Sequence, residues 1–193
     1  MLGLKLATDP RWVNIAEKNI HEILVDHAYC EQKAASTGIS LIIMYPDRKR
    51  IVDEVTPLVA EEWAHFRMVL KKLEERGLSL GEPRKDEYVF ELSKIIKKGG
   101  SKETQIMERL LIAGLIEARS CERFRLLSLH IQDQDLKQFY HDLMVSEAGH
   151  YRLFLDLACE YNSKEKVKLR FEEMLEQEAQ ILSRLALRGD RVH

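Results

Sequence analysis

Ser146-Glu147-Ala148-Gly149-His150 places a carboxylate and an imidazole three residues apart. On a helix that spacing puts both on one face. The neighbours of that face are Tyr140, Leu143, Met144, Tyr151 and Phe154, so it points inward. A buried, uncompensated carboxylate costs several kcal/mol, so Glu147 needs a proton, a cation or a metal. The arrangement recurs at Glu62-Trp63-Ala64-His65, among Leu58, Val59, Phe66 and Val69. Two such pairs on two inward faces point to one shared site.

Two further carboxylates fall on apolar stripes. Glu31 follows Leu24, His27 and Ala28 and precedes Ala34 and Ala35; Glu117 sits among Leu110, Ala113, Gly114, Ser120, Cys121 and Phe124. The chain thus offers Glu, then Glu-x-x-His, twice. Four Glu and two His from four inward helix faces are the ligand pattern of carboxylate-bridged dimetal centres in helical bundles. Carboxylates bridge two cations and balance their charge, and one imidazole per metal suits iron or manganese. This reading assigns Glu62 and Glu147 as bridges, Glu31 and Glu117 as terminal ligands, and His65 and His150 as one ligand per metal. Chance Glu-x-x-His matches are common in a Glu-rich chain. The lone Glu on each preceding helix, at a matched distance, is what argues against chance.

The elements that must position these groups are helical. Asp9-Pro10 is a cap followed by a first-turn proline, which starts a first long helix. In an antiparallel hairpin, facing residues lie equally far from the turn. Glu31 and Glu62 demand a midpoint between 46 and 47, where Pro46-Asp47 stands, so the first helix is expected to run through Gly38 to Tyr45. The second spans about 48–76, with a kink or restart at Thr56-Pro57 and Gly77 as C-cap. Residues 78–101 form a long crossover with a short helix at about 87–98. Ser101 caps a third long helix. A polar turn at 132–134, midway between Glu117 and Glu147, leads to a fourth, ending near Tyr161. Ser163 caps a last helix to about 187, expected outside the bundle. No segment has a strand pattern. The expectation is an all-α, ferritin-like four-helix bundle, a single domain over 1–193 with its core at about 10–161.

Composition agrees. Of 193 residues, 45% are hydrophobic and 32% charged, enough for one well-packed domain. The net charge of -2 announces no global field for nucleic acid, although local patches remain open. No apolar run approaches a membrane span, and Met1-Leu2-Gly3-Leu4-Lys5 lacks the apolar core of a signal peptide. Three scattered cysteines, Cys30, Cys121 and Cys159, suit a reducing cytoplasm.

Other polar residues have two readings each. His27, one turn before Glu31, either orients that ligand or is a satisfied core histidine, the second being the commoner case. Glu61 either orients a histidine or is solvated. Glu122 lies on a more polar row and is left outside the ligands. His21, His130 and His141 lack a Glu at the needed spacing. Cys30, Cys121, Tyr140 and Tyr151 read as core.

Four fragments are distinctive: Asp26-His27-Ala28-Tyr29-Cys30-Glu31-Gln32-Lys33-Ala34-Ala35-Ser36-Thr37, Glu61-Glu62-Trp63-Ala64-His65-Phe66, Leu115-Ile116-Glu117-Ala118-Arg119-Ser120-Cys121-Glu122-Arg123-Phe124 and Ser146-Glu147-Ala148-Gly149-His150. Together they make the chain resemble the bacterial tRNA 2-methylthio-N6-isopentenyladenosine hydroxylases. The resemblance covers about three-quarters of the chain. It implies a non-haem diiron monooxygenase that hydroxylates the isopentenyl group of a modified adenosine beside the anticodon. It further implies two iron ions held by Glu31, Glu62, His65, Glu117, Glu147 and His150, dioxygen as co-substrate and an external electron donor, an unidentified reductase. A cytoplasmic monomer or small homo-oligomer acting on tRNA is expected. Unlike the wider diiron class, no arginine precedes either histidine; Ala64 and Gly149 stand there. For tRNA phosphates the candidates are Lys94, Lys97, Lys98 and Lys102, joined by Arg84, Lys85 and Arg48-Lys49-Arg50, or else ordinary solvated faces. Arg119, Arg123 and Arg125 either guide a nucleotide or pair with neighbouring acids. A ferritin-like iron-storage protein with the same ligands is the alternative function, and a metal-free helical interaction module a third reading.

Overall fold

The computed structural model describes residues 2–83 and 85–192. Among these there are seven helices and no strand: α1 (Arg11–Lys18), α2 (Ile20–Met44), α3 (Lys49–Glu74), α4 (Glu87–Ser93), α5 (Lys102–His130), α6 (Gln134–Tyr161) and α7 (Lys164–Arg184). The chain divides into two compact units. One is Asn14–Lys85 with Arg188–Val192 and carries α2 and α3. The other is Asp86–Leu187 with the N-terminal stretch up to Val13, and carries α4 to α7.

In the first unit α2 and α3 form a helical hairpin. The expected single helix from Asp9 is interrupted: Asn19 leaves helical geometry and its side-chain amide donates to the Ile15 carbonyl at 2.7 Å, separating α1 from α2. α2 does continue through Gly38. α3 packs tightly against that glycine, since a Cβ there would lie 2.5 Å from Val59 Cγ2. Pro57 sits inside an unbroken α3, where the sequence suggested a kink or restart. Gly77, at φ +67°, ends the helix, with the Leu78 amide donating to the Leu73 carbonyl at 2.9 Å.

In the second unit the helix starts are capped, at Ser101 and Ser163 as the sequence predicts and at Asp86 and Asp133 in addition. Asp86 accepts from the Val89 amide, Ser101 from Thr104, Asp133 from Leu136 and Ser163 from Lys166. α4 stops at Ser93, short of the expected 98. α7 packs against α4, α5 and α6 and buries Val167, Phe171, Met174 and Leu175. It also buries two charges. Arg170 donates to both oxygens of Glu108 at 2.6 and 2.7 Å, and Glu178 accepts from Arg119 at 2.7 and 2.9 Å. Charge pairing therefore helps to seat α7 where its apolar stripe is thin.

Candidate metal centre

In the hairpin of α2 and α3, Glu31, Glu62 and His65 are all buried, at 3%, 1% and 6% exposure. Each offers a ligand atom within 4.8 Å of the others'. His65 Nδ1 lies 3.5 Å from Glu31 Oε2 and 3.7 Å from Glu62 Oε2. Two ligands bound at about 2.1 Å to one cation span distances of this size. The helical spacing explains the arrangement: Glu62 and His65 share one face of α3, and the turn at 45–48 sets Glu31 of α2 opposite them. Burial is the main force pushing the Glu31 carboxyl up, to about 8, with nearby Glu62 adding and His65 opposing. A cation between these groups would relieve that cost, so the residues fit a metal.

The second unit repeats the triad. Glu117 of α5 and Glu147 and His150 of α6 are buried, and their ligand atoms too lie within 4.8 Å of one another. His150 Nδ1 stands 3.2 Å from Glu147 Oε2. Both histidines thus turn the same ring nitrogen, Nδ1, to their carboxylates. Their Nε2 atoms face the residue one turn earlier: Glu61 Oε1 at 3.9 Å for His65, Ser146 Oγ at 3.5 Å for His150.

The side chains with two readings now separate. His27 is fully buried and its Nε2 lies 2.6 Å from Glu31 Oε1, so it contacts the candidate ligand directly. The i, i+4 spacing was the signal for this, and the commoner core reading outweighed it. Glu122 accepts from Arg119 and from the amide and hydroxyl of Thr8, away from the ligand row. Arg119 is fully buried on Glu178, Glu122 and the Leu6 carbonyl. Arg123 lies over the Trp12 ring at 4.3 Å and donates to Thr8 Oγ1, and burial pulls its guanidinium down to about 10. These two arginines hold the N-terminal stretch to α5, while Arg125 is exposed. The Cys121 thiol, pushed up to about 11 by burial and by Glu147, donates to the Met144 carbonyl and is no nucleophile.

At least five of the nine candidate basic residues have an acidic partner close by. Lys94 pairs with Glu91, Lys97 with Glu173, Arg48 with Asp47, Lys49 with Asp53 and Arg50 with Glu54. Arg84 lies outside the described residues. No helix among the described residues is long and apolar enough to cross a membrane.

Comparison with known proteins identifies the family. The tRNA-(MS2IO6A)-hydroxylase (MiaE) family matches residues 2–193. A tRNA 2-(methylsulfanyl)-N(6)-isopentenyladenosine(37) hydroxylase from Pseudomonas putida is 35% identical over 157 residues, covering 81% of this chain and 75% of that protein. The enzyme of the same description from Salmonella typhimurium is 25% identical over 228 residues, covering 93% and 83%. Among solved structures, a Synechococcus protein described as having aldehyde deformylating oxygenase activity superimposes with a TM-score of 0.93 at 34% identity, over 98% of this chain and 94% of its own. The fold is all-α and ferritin-like, and the chain belongs to the tRNA-(MS2IO6A)-hydroxylase family.

Proposed function

We propose that this protein is a tRNA-modifying monooxygenase. It hydroxylates the isopentenyl side chain of (2-methylthio)-N6-isopentenyladenosine next to the anticodon, in the cytoplasm. The observation that carries the reading is the pair of buried Glu, Glu, His triads within a chain matched to this family almost end to end. Glu31, Glu62 and His65 would hold one iron and Glu117, Glu147 and His150 the other, with Glu62 and Glu147 shared between them in a single domain. Two iron ions supply dioxygen activation, using electrons from an external reductase, and insertion of oxygen into a carbon–hydrogen bond.

The chain's own contribution is placement and exclusion of water. Each triad comes from helices whose packing fixes side-chain direction, so the ligands are held before metal arrives. The carboxylates carry the charge that a pair of divalent ions needs. The apolar residues around them, among them Leu24, Ala28, Leu58, Leu110, Leu143 and Phe154, are buried and keep the site dry. A dry site protects an oxidising step from quenching by solvent and favours a greasy prenyl group as substrate.

The decisive experiment is nucleoside analysis of tRNA from cells with and without this protein. Loss of the hydroxylated nucleoside on deletion, with its unhydroxylated precursor accumulating, is expected. Hydroxylated nucleoside that persists would refute the assignment. The likeness to the Synechococcus protein gives a second reading, oxygen-dependent aldehyde deformylation. Turnover of an aldehyde by the iron-loaded protein, with tRNA left unchanged, would favour it.

A further inference from the structure

We propose that His27 is a positioning residue that fixes Glu31 as a one-oxygen metal ligand. It occupies Oε1 and leaves Oε2 for the metal shared with His65. This rests on the reading of Glu31 as a ligand. The two oxygens of Glu31 face different partners. Oε1 meets His27 Nε2 at 2.6 Å, and Oε2 lies 3.5 Å from His65 Nδ1. The first contact is dry, with side chains 0% and 4% exposed, so water cannot replace it cheaply. Both residues project from the same face of α2 one turn apart, so the helix backbone itself sets the distance.

The chemistry follows from these contacts. A metal-bound Glu31 is ionised, so Nε2–H of His27 donates to Oε1. Rotating the carboxylate to chelate one metal through both oxygens would break a short, buried, charge-assisted bond. His27 therefore holds the ligand in its single-oxygen mode and keeps a coordination position open. In the second triad the residue four before Glu117 is Ala113, so α5 carries no imidazole at the matching place. Two metals held by these triads would then have unlike surroundings, since only Glu31 is restrained by an imidazole one turn away.

The test uses full-length protein stripped of metal and titrated with Co(II), whose visible bands report coordination number. His27→Met fills the volume without a donor, and His27→Gln returns an amide N–H near the position of Nε2. For His27→Met we expect a ten- to hundredfold weaker affinity for one of the two Co(II) ions. Its bands should shift toward higher coordination, while His27→Gln stays within about threefold of wild type. Unchanged affinity and spectrum in His27→Met, or a Gln variant no better than Met, would overturn the proposal. A measurement without substitution guards against a misfolded variant. In Zn(II)-loaded wild-type protein with 15N-labelled histidine, His27 should carry its proton on Nε2, and an Nδ1-protonated ring overturns the proposal. Wild-type protein that binds no Co(II) would instead remove the ligand reading beneath it.

Discussion

Gly38→Ala tests how tightly the α2–α3 hairpin is set. An alanine in mid-helix is favoured over glycine by about 1 kcal/mol. Here the new methyl would lie 2.5 Å from Val59 Cγ2 and 3.3 Å from Val55 Cγ1. Carbon atoms rest at about 3.5–4.0 Å, so the overlap with Val59 is about 1 Å. Valine on a helix has one preferred rotamer and cannot swing aside without strain. The helices must separate instead, and overpacking of this kind costs about 1–3 kcal/mol. The net expectation is a loss of about 0–2 kcal/mol. Adding Val59→Ala should remove the overpacking cost of about 1–3 kcal/mol, seen as non-additivity in a double-mutant cycle. Urea unfolding of the metal-free protein measures both. Separation should also move Glu31 from Glu62 and His65, so Gly38→Ala should retain less iron after desalting. A variant more stable than wild type, or strictly additive with Val59→Ala, would refute the close approach and the register built on it.

Glu117→Ala should lower bound iron and abolish turnover; full iron content with normal rate would remove Glu117 from the ligand set. For Glu31, burial raises the folded-state value from the usual 4.5 to about 8, so the folded metal-free protein holds a proton that the unfolded chain has released. Folding then binds protons, and stability falls as pH rises between those two values. Glu31→Gln lacks this loss, so its melting temperature should gain on wild type with rising pH in metal-free samples; a difference constant from pH 5 to 9 would contradict the cause. Arg119→Met leaves Glu178 and Glu122 without their cation and should cost about 3–5 kcal/mol, while Arg119→Met with Glu178→Leu should recover most of it, both read by denaturant unfolding. Equal stability of the single and double variants would show that Glu178 carries no penalty.

These six residues stand out in the sequence as candidate ligands because two constraints coincide. Glu-x-x-His on an apolar stripe is a local pattern, and the equal distances from Pro46-Asp47 and from 132–134 are a topological one. The caps at Ser101 and Ser163 were equally legible, since capping is a contact between residues three apart, and Asp86 and Asp133 make the same contact. The break at Asn19 was not, because it depends on a side chain reaching back to the Ile15 carbonyl in a stretch that also scores as helix. Nor were the partners of Arg119 and Arg170 legible, whose acids lie 59 and 62 positions away. Sequence spacing says nothing about such pairs until the helices are packed.

His27 is a different case, a buried histidine whose contact with Glu31 fits both of its readings, and the two triads explain why spacing did not choose between them. Each triad uses Glu, Glu and His with Nδ1 toward the carboxylates, so their ligating atoms follow one pattern. Their surroundings do not. Beside the first stand His27 and Glu61; at the matching places of the second stand Ala113 and Ser146. An internal repeat exposes what both halves must keep, and here that is the ligand set. What only one half carries escapes a repeat-based reading, although it is where two metals bound by like residues could be given different tasks. A centre that bound dioxygen at one face and held charge at the other would use such a difference. The buried His27–Glu31 contact is one candidate for creating it, and Ala113→His, placing an imidazole one turn before Glu117, is the reciprocal experiment. If the contact sets inequivalence, that variant should draw the two Co(II) affinities together; affinities as far apart as in wild type would assign the difference to other residues.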